Sequence, residues 1–237
     1  MVARRKNIHY NDLTMESEDI IQREGAEAFD ALDCSGTKTG ERIARDEAHR
    51  TGAWHGAFHC LIVYERDGRG VALFQKRSLE KKIAPGKFDV SVGGHYAAGE
   101  DAAIAGPREI KEELGLDVRF SELLPLGRRI FVYCFTPGVM EYEFQDVFLL
   151  GRRPHPGEVQ LQREELDGII ELDVEQGIAL FSGKITSLTI VLLRSDGLQK
   201  TIAVTADDFV PCLDNYYLKL LLLAQRYVRG ESELLLI

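Results

Sequence analysis

Three glutamates, Glu109, Glu112 and Glu113, stand three and four residues apart in the run Arg108-Glu-Ile-Lys-Glu-Glu-Leu114, and a helix puts all three on one face. Like charges at that spacing repel, so the chain gains nothing from the cluster unless a cation neutralises it. A hard divalent ion with oxygen ligands, such as Mg2+, is the natural candidate. The competing explanation is a solvated acidic face relieved by Arg108 and Lys111. The helix is predicted over residues 101–114, stopped by Gly115. Pro107 falls inside it, which predicts either a kink or a regular helix that starts near Pro107, where a first-turn proline is comfortable. Just upstream, residues 88–92 read as a strand leading into Gly93-Gly94, whose missing side chains let backbone carbonyls approach the same ion.

The chain around this unit can bury a full core, with 237 residues of which 45% are hydrophobic and 28% charged. Residues 1–25 read as a polar lead-in. A short strand is predicted over 29–32, a turn over 34–40, and a short helical or irregular segment over 41–49. Residues 57–65 and 71–76 flank Asp67-Gly68 and read as a hairpin. Further strands are predicted at 118–124, 129–135, 141–150 and 158–162, and a short helix at 174–181 after the apolar run 169–173. A second hairpin, 185–194 with 200–204, precedes a helix over 214–229 closed by Gly230. The expected organisation is a mixed α/β core over 26–172 with an extension, 173–237, packed on the same domain.

With 29 Lys+Arg against 38 Asp+Glu, the formal charge of −9 repels nucleic-acid polymers and acidic membranes. Four cysteines, Cys34, Cys60, Cys134 and Cys212, form no CxxC pair and fit neither a disulfide scaffold nor a zinc ribbon. The basic start MVARRKN has no apolar stretch behind it. The longest apolar run, 218–224, is broken by Lys219 and is far below the roughly 20 residues a membrane helix needs. A soluble, cytoplasmic protein is expected. The apolar last helix and the tail 233–237 suit either a cap over a cleft or a homodimer interface.

The full pattern around the glutamates is Gly94, five residues, Glu100, seven residues, then Arg108 to Leu116. It resembles the Nudix box at every defining position, a match expected by chance on the order of one in ten million. The resemblance implies an α/β (mixed α+β) fold, a β-sheet sandwiched by helices, with the box as a loop, helix and loop. It also implies a MutT-like hydrolase that cleaves a phosphoanhydride in a nucleoside diphosphate linked to another moiety, or in another small organic diphosphate. Carried over by position, Glu109, Glu112, Glu113 and the Gly94 carbonyl would bind Mg2+ or Mn2+, one glutamate would serve as base, and Glu100 would pair with Arg108 to orient the helix. Substitution at phosphorus needs neutralised phosphate oxygens and a deprotonated, aimed water, which metal ions and a carboxylate supply. A further carboxylate after the box is expected from among Glu143, Glu164 and Glu165, although 164–165 also reads as a solvated loop.

A second resemblance is carried by His55-Gly-Ala-Phe58 and by Pro85 to His95, which look like the front of isopentenyl-diphosphate isomerases, enzymes that share the Nudix fold. Those enzymes hold a metal with three histidines and two glutamates. His55 and His95 fall at matching places, His49 lies one residue out of spacing, and Glu141 and Glu143 resemble the paired glutamates on one strand face. The family's catalytic cysteine is replaced by Gly93, so hydrolysis outranks isomerisation. A noncatalytic ligand sensor is a third reading, against which the intact and electrostatically costly glutamates speak. Taken singly, His49 and His55 would be surface or turn residues, His59 a strand residue, and Glu141 and Glu143 solvent-facing. Tyr133 and Phe135 alternate along a strand and are expected in the core, the alternative being stacking on a base.

Overall fold

The computed structural model describes residues 27–155, 157–231, 233 and 235–237, and the lead-in of residues 1–25 lies outside them. Its architecture follows from strand β3 (His55–Arg66), whose first ten residues are all buried. A strand buried on both faces needs cover on both faces. Phe58, Cys60 and Ile62 enter one core with Ile110 and Leu114, whereas Leu61 and Val63 enter a second with Leu220 and Leu221, the alternation that a period of two dictates.

Strand β4 (Arg69–Arg77) pairs antiparallel with the far half of β3 through a hairpin whose tip, Asp67 and Gly68, takes φ of 53° and 75°. After β5 (Phe88–Asp89), β6 (Val92–His95) pairs with the near half of β3, and β8 (Val139–Leu150) lies parallel along its other edge. With β7 (Leu123–Thr136), β9 (Leu166–Asp173), β10 (Leu188–Arg194) and β11 (Gln199–Val204), the order is β11-β10-β9-β4-β3-β8-β7, a mixed nine-stranded sheet once β5 and β6 are included. Helix α2 (Ala102–Leu114) covers one face. Helices α3 (Val174–Phe181) and α4 (Tyr216–Val228) cover the other. The fold is a mixed α+β sandwich. A separate hairpin of β1 (Ala28–Leu32) and β2 (Lys38–Ala44) precedes helix α1 (Arg45–Thr51). Among the described residues no helix is long and apolar enough to cross a membrane.

Several local expectations are corrected. Residues 41–44 continue a strand, and helix begins only at Arg45. Of the strand expected at 118–124 only Leu123 and Leu124 form, after a 3-10 turn over Phe120–Glu122, and they run on into the strand expected at 129–135, because a register shift between Pro125 and Gly127 absorbs the proline without ending the pairing. No strand forms at 158–162. There the Gln160 N–H donates to the Leu114 carbonyl at 2.8 Å and the Gln162 N–H to the Glu113 carbonyl at 3.2 Å, satisfying carbonyls that the end of α2 leaves open.

Helix α2 does not wait for Pro107. Asp101 caps it, accepting from the Ala103 and Ile104 N–H groups at 2.9 and 3.2 Å, and Gly115 ends it with a φ of 74°. Gly106 lets it lie close to the sheet, since an added Cβ would stand 2.7 Å from the Phe58 ring. Asp101→Ala is expected to cost about 1 kcal/mol of stability, read from the urea midpoint.

Candidate active site

Helix α2 presents its glutamates to the end of β6, where Gly93 and Gly94 leave the backbone bare. Glu109 and Glu113 are 8% and 4% exposed, whereas Glu112 reaches solvent. The Glu109 carboxylate occupies the space that a side chain on residue 94 would take, so any larger residue there must displace it. Glu113 Oε2 accepts only long bonds, from Gln75 Nε2 at 3.2 Å and the Gly93 N–H at 3.3 Å. Burial, and then the Glu109 charge, push its carboxyl up to about 8. Burial also raises Glu109, against the pull of Arg108.

Arg108 ties the helix to the preceding loop. It donates to both oxygens of Glu100 at 2.9 and 2.7 Å, to Glu109 at 2.9 Å, to Glu112 at 3.0 Å, and to the His95 carbonyl at 3.2 Å. Glu100 in turn accepts the Ala97 N–H at 2.9 Å. This leaves Glu113 as a buried carboxylate without a close cation, an arrangement that fits a divalent ion with oxygen ligands. The cleft beside it is also lined by Arg45, Arg77 and Lys81, and by Glu27 and Glu165.

A second cluster lies across β6. On β8, Glu141, Glu143 and Gln145 alternate onto one face, and residue 143 pairs in register with His55 of β3. His95 Nε2 is 2.8 Å from Glu143 and 3.8 Å from Glu141; His55 Nε2 is 3.6 Å from Glu143, and His49 Nε2 is 3.5 Å from Glu141. His49, His55, His95 and Glu141 each offer a ligand atom within 4.8 Å of the others. His55 Nδ1 lies 2.9 Å from the Ala53 carbonyl, which places the proton on Nδ1 and turns the bare Nε2 inward. The Nε2 atoms of His49 and His55 are buried without a hydrogen-bond partner, and two such atoms converging on carboxylates fit a metal ion.

Burial, and then the closeness of His95 and His55, lower His49 to about 3, so its imidazole is neutral and ready to ligate. Burial and the neighbouring Glu143 hold Glu141 well above the usual carboxylate range. Glu143 lies well below that range, the cost of its burial outweighed by its hydrogen bonds with Glu141 and His95. Phe29 of β1 is fully buried and stacks on His55 and His95 at 4.7 and 4.8 Å, shielding the cluster from water. Arg45, Arg77, Gly93, Gly94 and His95 line both the glutamate cleft and a chamber bounded by His95, Glu141 and Glu143, so the two share a wall.

Residues 53–187 match the NUDIX domain family. The chain belongs to the Nudix hydrolases. An uncharacterized Nudix hydrolase of Clostridium acetobutylicum is 32% identical over 181 residues, 74% of this chain and 86% of the relative. An isopentenyl-diphosphate Delta-isomerase of Aliivibrio fischeri is 31% identical over 134 residues, 55% of this chain and 73% of that enzyme. A crystal structure of a protein from Deinococcus radiodurans shares the fold, with a TM-score of 0.50 and 24% identity over 66% of this chain and 90% of that one.

In this Nudix hydrolase the structure gathers Gly94, Glu100, Arg108, Glu109, Glu112 and Glu113 at one cleft. It gathers His49, His55, His95, Glu141 and Glu143 in one buried cluster, so the first two are not surface residues and the glutamates do not face solvent. Glu164 is exposed and does not line the cleft. Its neighbour Glu165 does, paired with Lys81, because the Ser78 N–H binds the Glu165 carbonyl at 2.8 Å and anchors residue 165 at the rim. Tyr133 and Phe135 are half-buried rather than in the core, since β7 is an edge strand, and Phe135 lines the chamber. His59 is a buried strand residue with Nδ1 3.0 Å from the Tyr216 hydroxyl, and burial lowers it to about 4. Sequence reasoning missed Phe29, Gln75, Arg129, Gln145 and Asp214. Only the polar Gln145, two positions on from Glu143 in a strand otherwise rich in apolar residues, left a readable trace.

Proposed function

We propose that this chain is a divalent-metal-dependent hydrolase of a small organic diphosphate, such as a nucleoside diphosphate linked to another moiety. The observation that carries the reading is Glu113, buried and short of cations, facing Arg45, Arg77 and Lys81 across one cleft. Glu109, Glu112, Glu113 and the Gly94 carbonyl would hold Mg2+ or Mn2+. When bound, such ions neutralise phosphate oxygens and make water acidic enough to attack at neutral pH. The arginines and Lys81 bind and orient the diphosphate by charge-assisted hydrogen bonds. One glutamate of the trio accepts the proton of the attacking water as the bond from phosphorus to the leaving oxygen breaks. Arg108 and Glu100 keep the helix in register with the loop that carries Gly94.

The experiment is a hydrolysis panel with Mg2+ or Mn2+, covering nucleoside di- and triphosphates, nucleotide sugars, dinucleotides, coenzyme A and prenyl diphosphates, with products identified by mass. Turnover of one class that a chelator abolishes supports the reading, and turnover that survives full chelation refutes it. A second reading, an isopentenyl-diphosphate isomerase-like enzyme, is favoured by the three-histidine, two-glutamate cluster and opposed by Gly93. Chromatographic appearance of the isomer in the prenyl samples, without hydrolysis anywhere in the panel, would select it. Silence throughout would favour a ligand sensor.

A further inference from the structure

We propose that Arg129 is a positioning residue for Glu143, held in place by Asp214, so that the C-terminal extension completes the histidine–glutamate centre. The inference rests on reading that cluster as a metal centre. Asp214 lies beyond residues 53–187, the segment that matches the family. Arg129 is 7% exposed and its guanidinium is gripped on two sides. Nε and Nη2 donate to the two oxygens of Asp214, both at 2.8 Å, and Nη1 donates to Gln145 Oε1 at 2.8 Å. The Tyr216 ring of α4 stacks beneath, 3.8 Å from the guanidinium carbon.

The consequence for the cluster comes from donor and acceptor inventory. A guanidinium only donates, so the Gln145 oxygen must face it. The Gln145 amide nitrogen must then face the other way, where it donates to Glu143 Oε2 at 2.5 Å. That leaves Glu143 Oε1 turned to His95 and His55. Without Arg129 the Gln145 oxygen loses its donor, and the amide is left held by its single bond to Glu143. Arg129 thus anchors the far end of the amide that aims Glu143, and Asp214 spans 85 residues of sequence to hold Arg129 there. The competing account is a buried ion pair that merely fastens the extension to the sheet, which would affect stability and leave the cluster untouched.

Co2+ titration of the full chain, followed by its visible absorption, separates the two accounts, with His95→Ala as the control for the cluster. Gln145→Leu is expected to weaken Co2+ binding roughly 10- to 100-fold and Asp214→Asn about tenfold, as losses of outer hydrogen-bond partners do, each with an altered spectrum. The double variant should bind no worse than Gln145→Leu alone, because both changes act through one amide. Arg129→Lys, which keeps the charge and loses the fork, should behave as Asp214→Asn does. An Asp214→Asn protein with a lower Tm but wild-type affinity and spectrum makes the pair a fastening and overturns the proposal. Gln145→Leu leaves the Arg129–Asp214 pair intact, so wild-type affinity in that variant overturns it even if Asp214→Asn does not fold. If wild type and His95→Ala take up Co2+ alike, the metal-centre reading fails, and the proposal with it.

Discussion

Glu113→Gln is expected to lower kcat/KM by about 10²- to 10⁴-fold, the range found when a positioned proton-transfer group is lost, while making the metal-free protein more stable. The glutamine keeps shape and buried contacts and is neutral in the folded and the unfolded chain alike, so it escapes the cost of holding a carboxyl protonated in the fold. The linkage sign follows from the carboxyl's position at about 8 in the fold against an ordinary 4.5. The unfolded chain gives up this proton first, so the metal-free protein loses stability as pH rises from about 4.5 to about 8 and levels off above. At pH 7 that penalty is roughly 3 kcal/mol as an upper bound. Tm measured in chelator should therefore fall across this window in wild type and much less in Glu113→Gln. Saturating Mg2+ should remove the difference by supplying the missing cation. A Glu113→Gln protein with wild-type turnover would refute the assignment of this carboxylate to the reaction.

Gly94→Ala should be damaging to activity out of proportion to its size. An added Cβ would fall inside the Glu109 carboxylate, so either the helix shifts or the carboxylate turns away, and both spoil the alignment of Glu109 with Glu113. Overpacking of this kind costs about 1–3 kcal/mol. Activity should fall by at least about 10²-fold, because a displacement near 1 Å at reacting groups is enough for that. The control is Gly93→Ala, whose added Cβ would meet His59 Nε2 at 3.4 Å, an ordinary contact. It should keep most of the stability. Urea midpoints and steady-state rates on the two variants check the pair, and a Gly94→Ala protein as active and stable as Gly93→Ala would show that Glu109 is free to move.

The glutamate site was legible because its chemistry is local. Glu109, Glu112 and Glu113 share a helix face by spacing alone, Gly115 ends that helix, and Glu100 and Gly94 lie close enough in sequence to be set by one loop. The Asp67-Gly68 turn and the strands it joins were equally local signals. Pro107 misled because its lost hydrogen bond is outweighed by a strong cap at Asp101 and by packing of α2 on Phe58.

The histidine–glutamate cluster was half legible. The sequence put Glu141 and Glu143 on one strand face, but their burial depends on β1 folding over, with Phe29 stacked on His55 and His95. No period in the sequence reports that β8 lies parallel beside β3 with residue 143 opposite residue 55. Nor does any report that Asp214 returns to Arg129 across the sheet. By itself, then, the sequence determined the helix with its carboxylates, the tight turns and the core faces, all governed by neighbours within a few residues. Only the tertiary structure decided which polar side chains are buried together and which way each one points. Those outcomes depend on strand order and on desolvation by distant segments, and both are properties of the folded chain alone.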